Sequence, residues 1–160
     1  MDEIVENVHR LSVDLSPPVL HDYGLSAGLR WLAENVAKNY DISVTYDTIE
    51  IDHLFSQETQ IGIYRIVQEA LTNVGKHAQA KNASLVIKEE SGWISFVIGD
   101  DGRGFELAAA VMGNGTDKRL GLATMNERVR MLGGFLDVWS HAGEGTRITF
   151  SIPTKGRGIV

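Results

Sequence analysis

Residues 93–104 read WISFVIGDDGRG and join an alternating run to a turn that carries two carboxylates and two glycines. Ile94, Phe96 and Ile98 recur at every second position, and this period predicts a half-buried β-strand over about 93–99. Glycine lets the backbone approach another group closely or adopt a positive φ. The stretch therefore predicts a strand that ends, at residues 100–104, in a candidate binding loop.

Glycine recurs further along the chain. There are 17 glycines against 3 prolines, and two further glycine-bearing stretches lie at 113–121 and 143–145. Residues 101–120 have no clear period, and an irregular stretch of that length inside a domain is usually a functional loop or a lid. We therefore expect a loop or lid between the strand and the next helix.

The other elements follow from periodicity. Helices are predicted over about 3–15, 24–39, 57–78 and 122–132, the first ended by Pro17-Pro18 and the last by Gly133-Gly134. Strands are predicted over about 42–47, 83–89, 93–99, 135–140 and 146–152. Because helices and strands are mixed rather than strictly alternating, the expected fold class is α+β, a two-layer sandwich with a mixed, mostly antiparallel sheet and helices on one face.

The helix predicted over 57–78 has two different faces. One is an apolar stripe, and the other carries Arg65, Glu69, Asn73, Lys76 and His77. Solvent exposure is the ordinary explanation of a polar helix face. It does not explain an interior asparagine, which is a poor helix former, or Gly75, which costs roughly 1 kcal/mol relative to alanine. This face is therefore a second candidate for a site.

Composition excludes several classes of protein. The formal net charge is −6, whereas a nucleic-acid binder usually shows a basic balance or stripe. Cysteine is absent, which excludes disulfides and thiolate metal sites and suits a reducing compartment. We find no apolar run of about 18 residues that predicts a membrane span, and no charged-then-apolar leader. We expect a cytoplasmic domain that contacts neither nucleic acid nor membrane.

Four runs resemble the sequence boxes of the ATPase fold that gyrase, the Hsp90 chaperones, the histidine kinases and the MutL proteins share. They are residues 69–77 (EALTNVGKH), 100–105 (DDGRGF), 119–125 (RLGLATM) and 143–146 (GEGT). The detail, including GLATMNERV at 121–129, is closer to the histidine kinases of the subfamily that contains the nitrate sensors and the desaturase-regulating thermosensor. Residues 11–20 resemble the end of that subfamily's second dimerisation helix and its linker. The resemblance covers nearly the whole chain.

The resemblance implies the Bergerat ATP-binding fold, with an adenine site on the second and fourth runs. Asp100 would hold the adenine, because a carboxylate accepts a hydrogen bond from the exocyclic amine and repels the carbonyl that guanine carries there. Gly102 and Gly104 would let the backbone approach the base and ribose. Thr146 would place its hydroxyl close to Asp100. Each of these residues alone is also common in turns or at the start of a strand.

The first run is implied to hold Mg²⁺ and part of the phosphates. Asn73 would ligate Mg²⁺ through its side-chain oxygen, and Glu69, one turn earlier, would support the metal or ligate it. Lys76 and His77 would offer positive or donor groups to the phosphates. A Lys-His pair at a helix end also complements the helix dipole.

The third run is implied to contact the phosphates from the other side. Gly121 and Leu122 would begin a helix, and a helix N-terminus is a natural phosphate site. Arg119, just before it, would add positive charge or be a solvated lid residue.

Three residues depart from the family's pattern. Asp101 stands where many relatives have asparagine, and its charge near a polyanion is expected to weaken ATP binding. Arg119 stands where many have glycine, which makes the lid less flexible or gives it a phosphate contact. Gly75 stands where a larger residue is common, and the sequence offers no account of it.

The family's organisation implies three parts: a remnant of the second dimerisation helix and linker at 1–20, an ATP-binding catalytic domain at 21–154, and a C-terminal tail at 155–160. The phosphoaccepting histidine of this subfamily lies on the first dimerisation helix and precedes an acidic residue. His9 is followed by Arg10 on what resembles the second helix, and His21-Asp22 falls in the linker. Neither is therefore a good candidate for the acceptor.

The expected function is that of a protein-histidine kinase fragment. It would bind ATP with Mg²⁺ and donate the γ-phosphoryl group to a histidine on a dimerisation domain outside the chain, so that it is not competent for autophosphorylation alone. The implied partners are that domain, as a homodimer in a parent protein that is cytoplasmic or membrane-anchored, and a response regulator.

Two alternatives remain open. An anti-sigma-type serine kinase shares the fold but begins directly with the catalytic sheet, so residues 3–20 disfavour it. A non-catalytic ATP-binding interaction module is favoured by Asp101 and by the loss of the lid glycine at Arg119.

Overall fold

The computed structural model describes residues 17–107 and 116–154, and in the second range it describes side chains from Gly121 onward. The elements in chain order are α1 (Pro18–Tyr23), α2 (Leu25–Tyr40), β1 (Ser43–Asp47), a 3₁₀ turn (Asp52–Leu54), α3 (Gln57–Asn73), a π-helical turn (Val74–Ala78), β2 (Asn82–Glu90), β3 (Trp93–Asp100), α4 (Thr116–Met131), β4 (Phe135–Ser140) and β5 (Thr146–Pro153). The helix predicted over 3–15 and the tail predicted over 155–160 lie outside the described residues.

The five strands form one sheet in the order β1-β2-β3-β5-β4. The β1–β2 pair is parallel, and the other three pairs are antiparallel. β2 and β3 form a hairpin that turns at Ser91 and Gly92, which both have positive φ, as a two-residue hairpin loop of type I′ requires. The predicted strands and the mixed, mostly antiparallel sheet are confirmed.

One face of the sheet is covered by helices. The alternating residues of the central strands point into this layer and are at most 5 % exposed: Leu85, Ile87, Ile94, Phe96, Ile98, Ile148, Phe150 and Ile152. The rings of Phe96 and Phe150 stack with their centroids 4.5 Å apart. Leu29 of α2, Ile63 of α3 and Val129 of α4 complete the core from the helix side. The predicted two-layer sandwich is therefore confirmed. No helix within 17–107 or 116–154 has the length and apolarity needed to cross a bilayer.

One predicted boundary was wrong, and one predicted helix ends in a different helical geometry. α4 begins at Thr116, not near residue 122, so the end of the stretch predicted to be irregular is helical, while residues 108–115 lie outside the described ranges. The residues at 116–119 are all polar, so they give no apolar periodicity that would have extended the helix prediction. The helix predicted over 57–78 exists, but its last turn, Val74–Ala78, is π-helical.

Candidate functional site

A cavity lies between the C-terminal end of α3 and the place in the sheet where β3 ends and β5 begins. It is lined by Ala70, Asn73, Val74, His77, Ala78, Ile98, Asp100, Arg103, Gly104, Phe105, Leu122, Thr146 and Ile148. The cavity therefore brings together residues from all four of the runs that the sequence singled out. Its walls are largely aliphatic, with polar groups at a few positions, as is usual for small-molecule sites.

Asp100 lies at the sheet side of this cavity. It is the last residue of β3 and pairs with Thr146 of β5. Its Oδ1 accepts a hydrogen bond from the backbone N–H of Gly102 at 2.8 Å. Burial raises the pKa of Asp100, the Gly102 hydrogen bond opposes that rise, and the neighbouring charge of Asp101 adds to it. A half-buried carboxylate between aliphatic walls suits a ligand that donates a hydrogen bond.

Ser140 organises the groups beside Asp100. This buried hydroxyl, 3 % exposed, donates to the carbonyl oxygen of Gly145 at 3.0 Å and accepts from the N–H of Phe105 at 2.9 Å. Its oxygen also lies 2.9 Å from Oγ1 of Thr146. A serine hydroxyl has one proton to donate, so the proton in the contact with Thr146 comes from Thr146. The Thr146 oxygen therefore offers lone pairs, and not its proton, to a ligand in the cavity.

The glycines of the 100–104 loop are packed against protein backbone. A Cβ on Gly102 would lie 2.2 Å from the carbonyl oxygen of Ala78, and a Cβ on Gly104 would lie 2.1 Å from that of His141. Gly104 also has φ of +59°, which disfavours residues with a side chain. We expected these two glycines to let the backbone approach the base and ribose. The packing of the protein against itself already requires glycine at both positions. Of the two, Gly104 also lines the cavity.

Asp101 does not line this cavity. Its side chain is hydrogen-bonded at the start of β2, to Lys81 just before the strand and to Asn82, its first residue. Its carboxylate accepts hydrogen bonds from the N–H of Lys81 at 3.0 Å, the N–H of Asn82 at 2.9 Å and the side-chain amide of Asn82 at 2.8 Å. The side-chain and backbone hydrogen bonds of Asn82 lower the pKa of Asp101, and that of Lys81 adds to this effect. The carboxylate that was expected to repel a polyanion thus has a structural role at the start of β2.

Glu69 and Asn73 lie one turn apart on α3 and face the same point of α4. A Cβ on Gly121 would lie 2.7 Å from Oε1 of Glu69 and 3.7 Å from Nδ2 of Asn73. Gly121 lies inside α4, so the prediction that Gly121 and Leu122 begin a helix was wrong. Leu122, the next residue, lines the cavity.

The donor set at this point fits a weakly ligated Mg²⁺. Magnesium keeps several waters and usually takes one or two protein oxygens together with phosphate oxygens. One carboxylate, Glu69, and one amide oxygen, Asn73, match that requirement. In the part of the chain that the structure describes, no group of three or more His, Cys, Asp or Glu side chains forms a metal cage, so the protein would rely on a phosphate ligand to complete the shell.

Of the other histidines and basic residues considered from the sequence, one lines the cavity and others lie away from it. His77 lines the cavity, and its carbonyl oxygen accepts a hydrogen bond from Nε of Arg103 at 2.8 Å. Lys76 is exposed and does not line the cavity. The side chain of Arg119 lies outside the described residues. His21 is exposed on α1 and contacts the Asp22 carboxylate at 3.3 Å.

Sequence reasoning missed two polar residues of the site. Arg103 belongs to the quoted run DDGRGF, but nothing in the motif indicates that its side chain bonds to the π-helical turn. Ser140 had no motif at all. Its position becomes meaningful only through the β4–β5 register, which places it opposite Thr146.

A family model for histidine kinase-, DNA gyrase B-, and HSP90-like ATPases matches residues 58–156, more than half of the chain and all four runs. The chain therefore belongs to this ATPase family. Among curated proteins it is similar to the oxygen sensor histidine kinase NreB of Staphylococcus carnosus (strain TM300), with 35 % identity over 153 residues, covering 96 % of this chain and 43 % of that protein. The chain thus spans less than half the length of this relative.

Solved structures agree with this assignment. The histidine kinase domain of the blue-light activated histidine kinase of Erythrobacter litoralis EL346 matches with a TM-score of 0.67 and 28 % identity, over 81 % of this chain and 60 % of that one. Full-length ShkA in complex with AMPPNP matches with a TM-score of 0.67 over 95 % of this chain and 37 % of that one. At 22 % identity the second match supports the fold alone. The predicted membership among histidine kinase ATP-binding domains is confirmed.

Proposed function

We propose that the chain binds ATP with Mg²⁺ in this cavity and donates the γ-phosphoryl group to a histidine of a dimerisation domain, as the catalytic part of a two-component sensor kinase. The observation that supports this most strongly is the convergence of all four runs on one cavity, through Asn73, Asp100, Leu122 and Thr146. Membership of an ATPase family supports ATP as the nucleotide. The geometry of the cavity suggests which residues contact each part of ATP.

The adenine would lie at the sheet side of the cavity. Asp100 offers a carboxylate and Thr146 a hydroxyl oxygen whose proton is directed to Ser140. Two acceptors on neighbouring strands favour a base that presents an amine there, and they disfavour a base that presents a carbonyl. The aliphatic walls, such as Ile98 and Ile148, would contact the faces of the ring.

The phosphates would extend toward the facing surfaces of α3 and α4. Glu69 and Asn73 would hold the Mg²⁺, which neutralises phosphate charge when bound. His77 would add a donor from the cavity wall, and Lys76 and Arg119 would add charge from outside it. The earlier idea of a helix N-terminus at Gly121 is not part of this proposal, because α4 begins at Thr116.

The transfer itself requires mainly positioning. A neutral imidazole nitrogen of the acceptor histidine uses its lone pair to form the N–P bond, while the bond between the γ-phosphorus and the bridging oxygen breaks and ADP leaves with that electron pair. The proton on the other imidazole nitrogen then passes to solvent water, which leaves a neutral phosphorylated ring. The protein's part is to hold the γ-phosphorus in line with the nitrogen and to keep the nucleotide oriented.

The wider protein is also a matter of proposal, because the chain spans only 43 % of its relative. We propose that the dimerisation domain forms a homodimer in the parent protein, that a response regulator receives the phosphoryl group, and that the catalytic domain works in the cytoplasm. In this arrangement residues 1–20 connect the dimerisation helices to the ATP-binding domain at 21–154, and residues 155–160 form a tail.

Nucleotide binding tests the first part of this proposal. Isothermal titration of the chain with ATP and with GTP, each with and without Mg²⁺, should show Mg²⁺-dependent binding of ATP that is at least tenfold tighter than that of GTP, an order-of-magnitude expectation from a mismatched polar contact. Equal affinities for ATP and GTP, or no binding, would refute the adenine assignment.

Phosphoryl transfer tests the second part. The chain is mixed with γ-labelled ATP and a separately produced dimerisation domain, with Asn73→Ala as the matched variant. We expect acid-labile label on the dimerisation domain with the natural sequence and almost none with Asn73→Ala. Label that survives acid would favour a serine kinase, and ATP binding without transfer would favour a non-catalytic module.

A further inference from the structure

The end of α3 changes its helical geometry at the cavity wall. Val74–Ala78 is a π-helical turn, and the N–H of Val74 is shared between the carbonyl oxygens of Ala70 and Leu71. Short π-helical turns are rare and are frequently found at functional sites. Val74, His77 and Ala78 of this turn line the cavity. The position of the turn therefore sets the shape of one cavity wall.

A tyrosine ring lies directly against the outer side of this turn. Tyr40 is the last residue of α2, and a Cβ on Gly75 would lie 2.5 Å from both Cδ2 and Cε2 of the Tyr40 ring. Only glycine lets the ring and the backbone approach so closely. Tyr40 is 41 % exposed, so part of its ring meets solvent while part covers Gly75.

The C-terminal end of the same turn is held by the loop after β3. The N–H of Arg103 donates to the carbonyl oxygen of Ala78 at 2.7 Å, and Nε of Arg103 donates to that of His77 at 2.8 Å. Gly102 abuts the same Ala78 carbonyl group. The turn thus contacts the Tyr40 ring at Gly75 and residues 102–103 at the carbonyl groups of His77 and Ala78.

We propose that the contact of Tyr40 with Gly75 positions the π-helical turn for nucleotide binding, so that Tyr40 is a positioning residue that acts on the cavity from outside it. This inference rests on the proposed function, because it assigns to a contact of α2 an effect on ATP affinity. It also gives a reason for the glycine at position 75.

The physical reason is the lack of free space between Gly75 and the Tyr40 ring. A methyl group at position 75 must displace the ring or the turn, and a movement of the turn shifts the wall residues His77 and Ala78. Removal of the ring leaves the turn without this contact. Both substitutions should weaken ATP binding. Their effects on the binding free energy should not be additive, because both act on one contact.

A double-mutant cycle on ATP affinity tests the proposal, by isothermal titration with Mg²⁺. We expect the Kd to rise about tenfold for Gly75→Ala and about threefold for Tyr40→Ala, and to stay near threefold for the pair, a coupling of ordinary size for residues in contact. Tyr40→Phe should bind ATP like the natural chain, because the ring makes the contact. The matched control is Gly28→Ala, where a Cβ would meet the Tyr64 ring at 3.3 Å and neither residue lines the cavity.

The outcomes separate this inference from the proposed function. If the natural chain does not bind ATP, the proposed function fails. If it binds ATP and Gly75→Ala binds equally well, or if the pair of changes multiplies to about thirtyfold as independent sites would, the positioning role is wrong while the proposed function stands. Should Gly75→Ala not fold by circular dichroism, the comparison of Tyr40→Ala with Tyr40→Phe decides, and equal affinities of those two variants would overturn the inference.

Discussion

At the scale of single residues, the two neighbouring acids at the end of β3 have opposite environments. Asp100 faces the cavity with its pKa raised by burial, whereas hydrogen bonds from Asn82 and Lys81 lower the pKa of the exposed Asp101. The sequence shows only two adjacent carboxylates, and both would be expected near the ligand. Their separation follows from strand geometry, because successive residues at a strand end point in different directions.

The raised pKa of Asp100 predicts that this residue reduces stability at neutral pH. Folding raises the pKa of Asp100 above its unfolded value of 3.8, so the protonated residue stabilises the fold fully below pH 3.8. This stabilisation is lost as the pH rises through the pKa of the folded state. Asp100→Asn keeps an acceptor for Gly102 and removes the charge. Its melting temperature at pH 7 should therefore exceed that of the natural chain, and this difference should shrink as the pH falls through the raised pKa.

The same variant should bind ATP at least tenfold more weakly, since a charged acceptor contributes roughly 1.5–3 kcal/mol and the amide supplies a weaker one. Scanning calorimetry and titration of both proteins from pH 8 down to the unfolded value of 3.8 measure the two effects together. An Asp100→Asn protein that is less stable than the natural chain and retains full ATP affinity would contradict the assignment.

Ser140 yields a second prediction at this scale. Ser140→Ala leaves the Phe105 N–H, the Gly145 carbonyl group and the Thr146 hydroxyl without their common partner. A buried polar group that loses its partner costs about 1–3 kcal/mol, so the free energy of unfolding measured in urea should fall by at least that amount. ATP affinity should also fall, because the Thr146 hydroxyl can then turn its proton toward the adenine amine. Ser95→Ala, on the half-exposed face of β3, is the control and should change neither quantity.

At the scale of elements, the periodicity of the sequence was sufficient to predict the regular helices and strands. It did not reveal the contacts between them. The strand over 93–99 and the helix over 24–39 were predicted from alternating or helical residues, and they match β3 and α2 to within one residue at each end. The start of α4 was missed because its first turn, residues 116–119, is polar. The π-helical turn was missed because its contacts come from Tyr40 and Arg103, each about thirty positions away in the chain.

Gly121 belongs to this scale, since it lies where α4 passes Glu69 and Asn73. Alanine is favoured over glycine in a helix by about 1 kcal/mol, and the Glu69 carboxylate can move aside from a new Cβ. Gly121→Ala should therefore keep or raise the melting temperature and lower the rate of phosphoryl transfer about tenfold, by displacing the acid that we propose as a metal ligand. Leu132→Ala, in the turn that follows the same helix, should lower stability without a specific effect on transfer. An unchanged transfer rate in Gly121→Ala would remove Glu69 from the metal site.

At the scale of the whole molecule, the core and the cavity share residues. Ile98 and Ile148 are 1 % and 5 % exposed, belong to the core cluster, and also line the cavity. The sequence could predict that four short runs meet at one candidate site, because all four resemble the runs of one family, and residues of all four line the cavity. It could not predict which members of those runs face the cavity, since that depends on the register of β3 with β5 and on the packing of α4 across α3.

A ligand that occupies a cavity bounded by core residues should stabilise the entire domain. Binding to the folded state alone contributes about 2.7 kcal/mol when the ligand concentration is a hundred times its Kd, and 1 kcal/mol shifts the melting temperature by roughly 2–4 °C in a domain of this size. ATP with Mg²⁺ should therefore raise the melting temperature by about 5–10 °C, and GTP at the same concentration should have a smaller effect. The rise should be reduced in Asp100→Asn although that variant starts from a higher melting temperature. Equal shifts with ATP and GTP in the natural chain would mean that the stabilising contacts are made to the phosphates and not to the base.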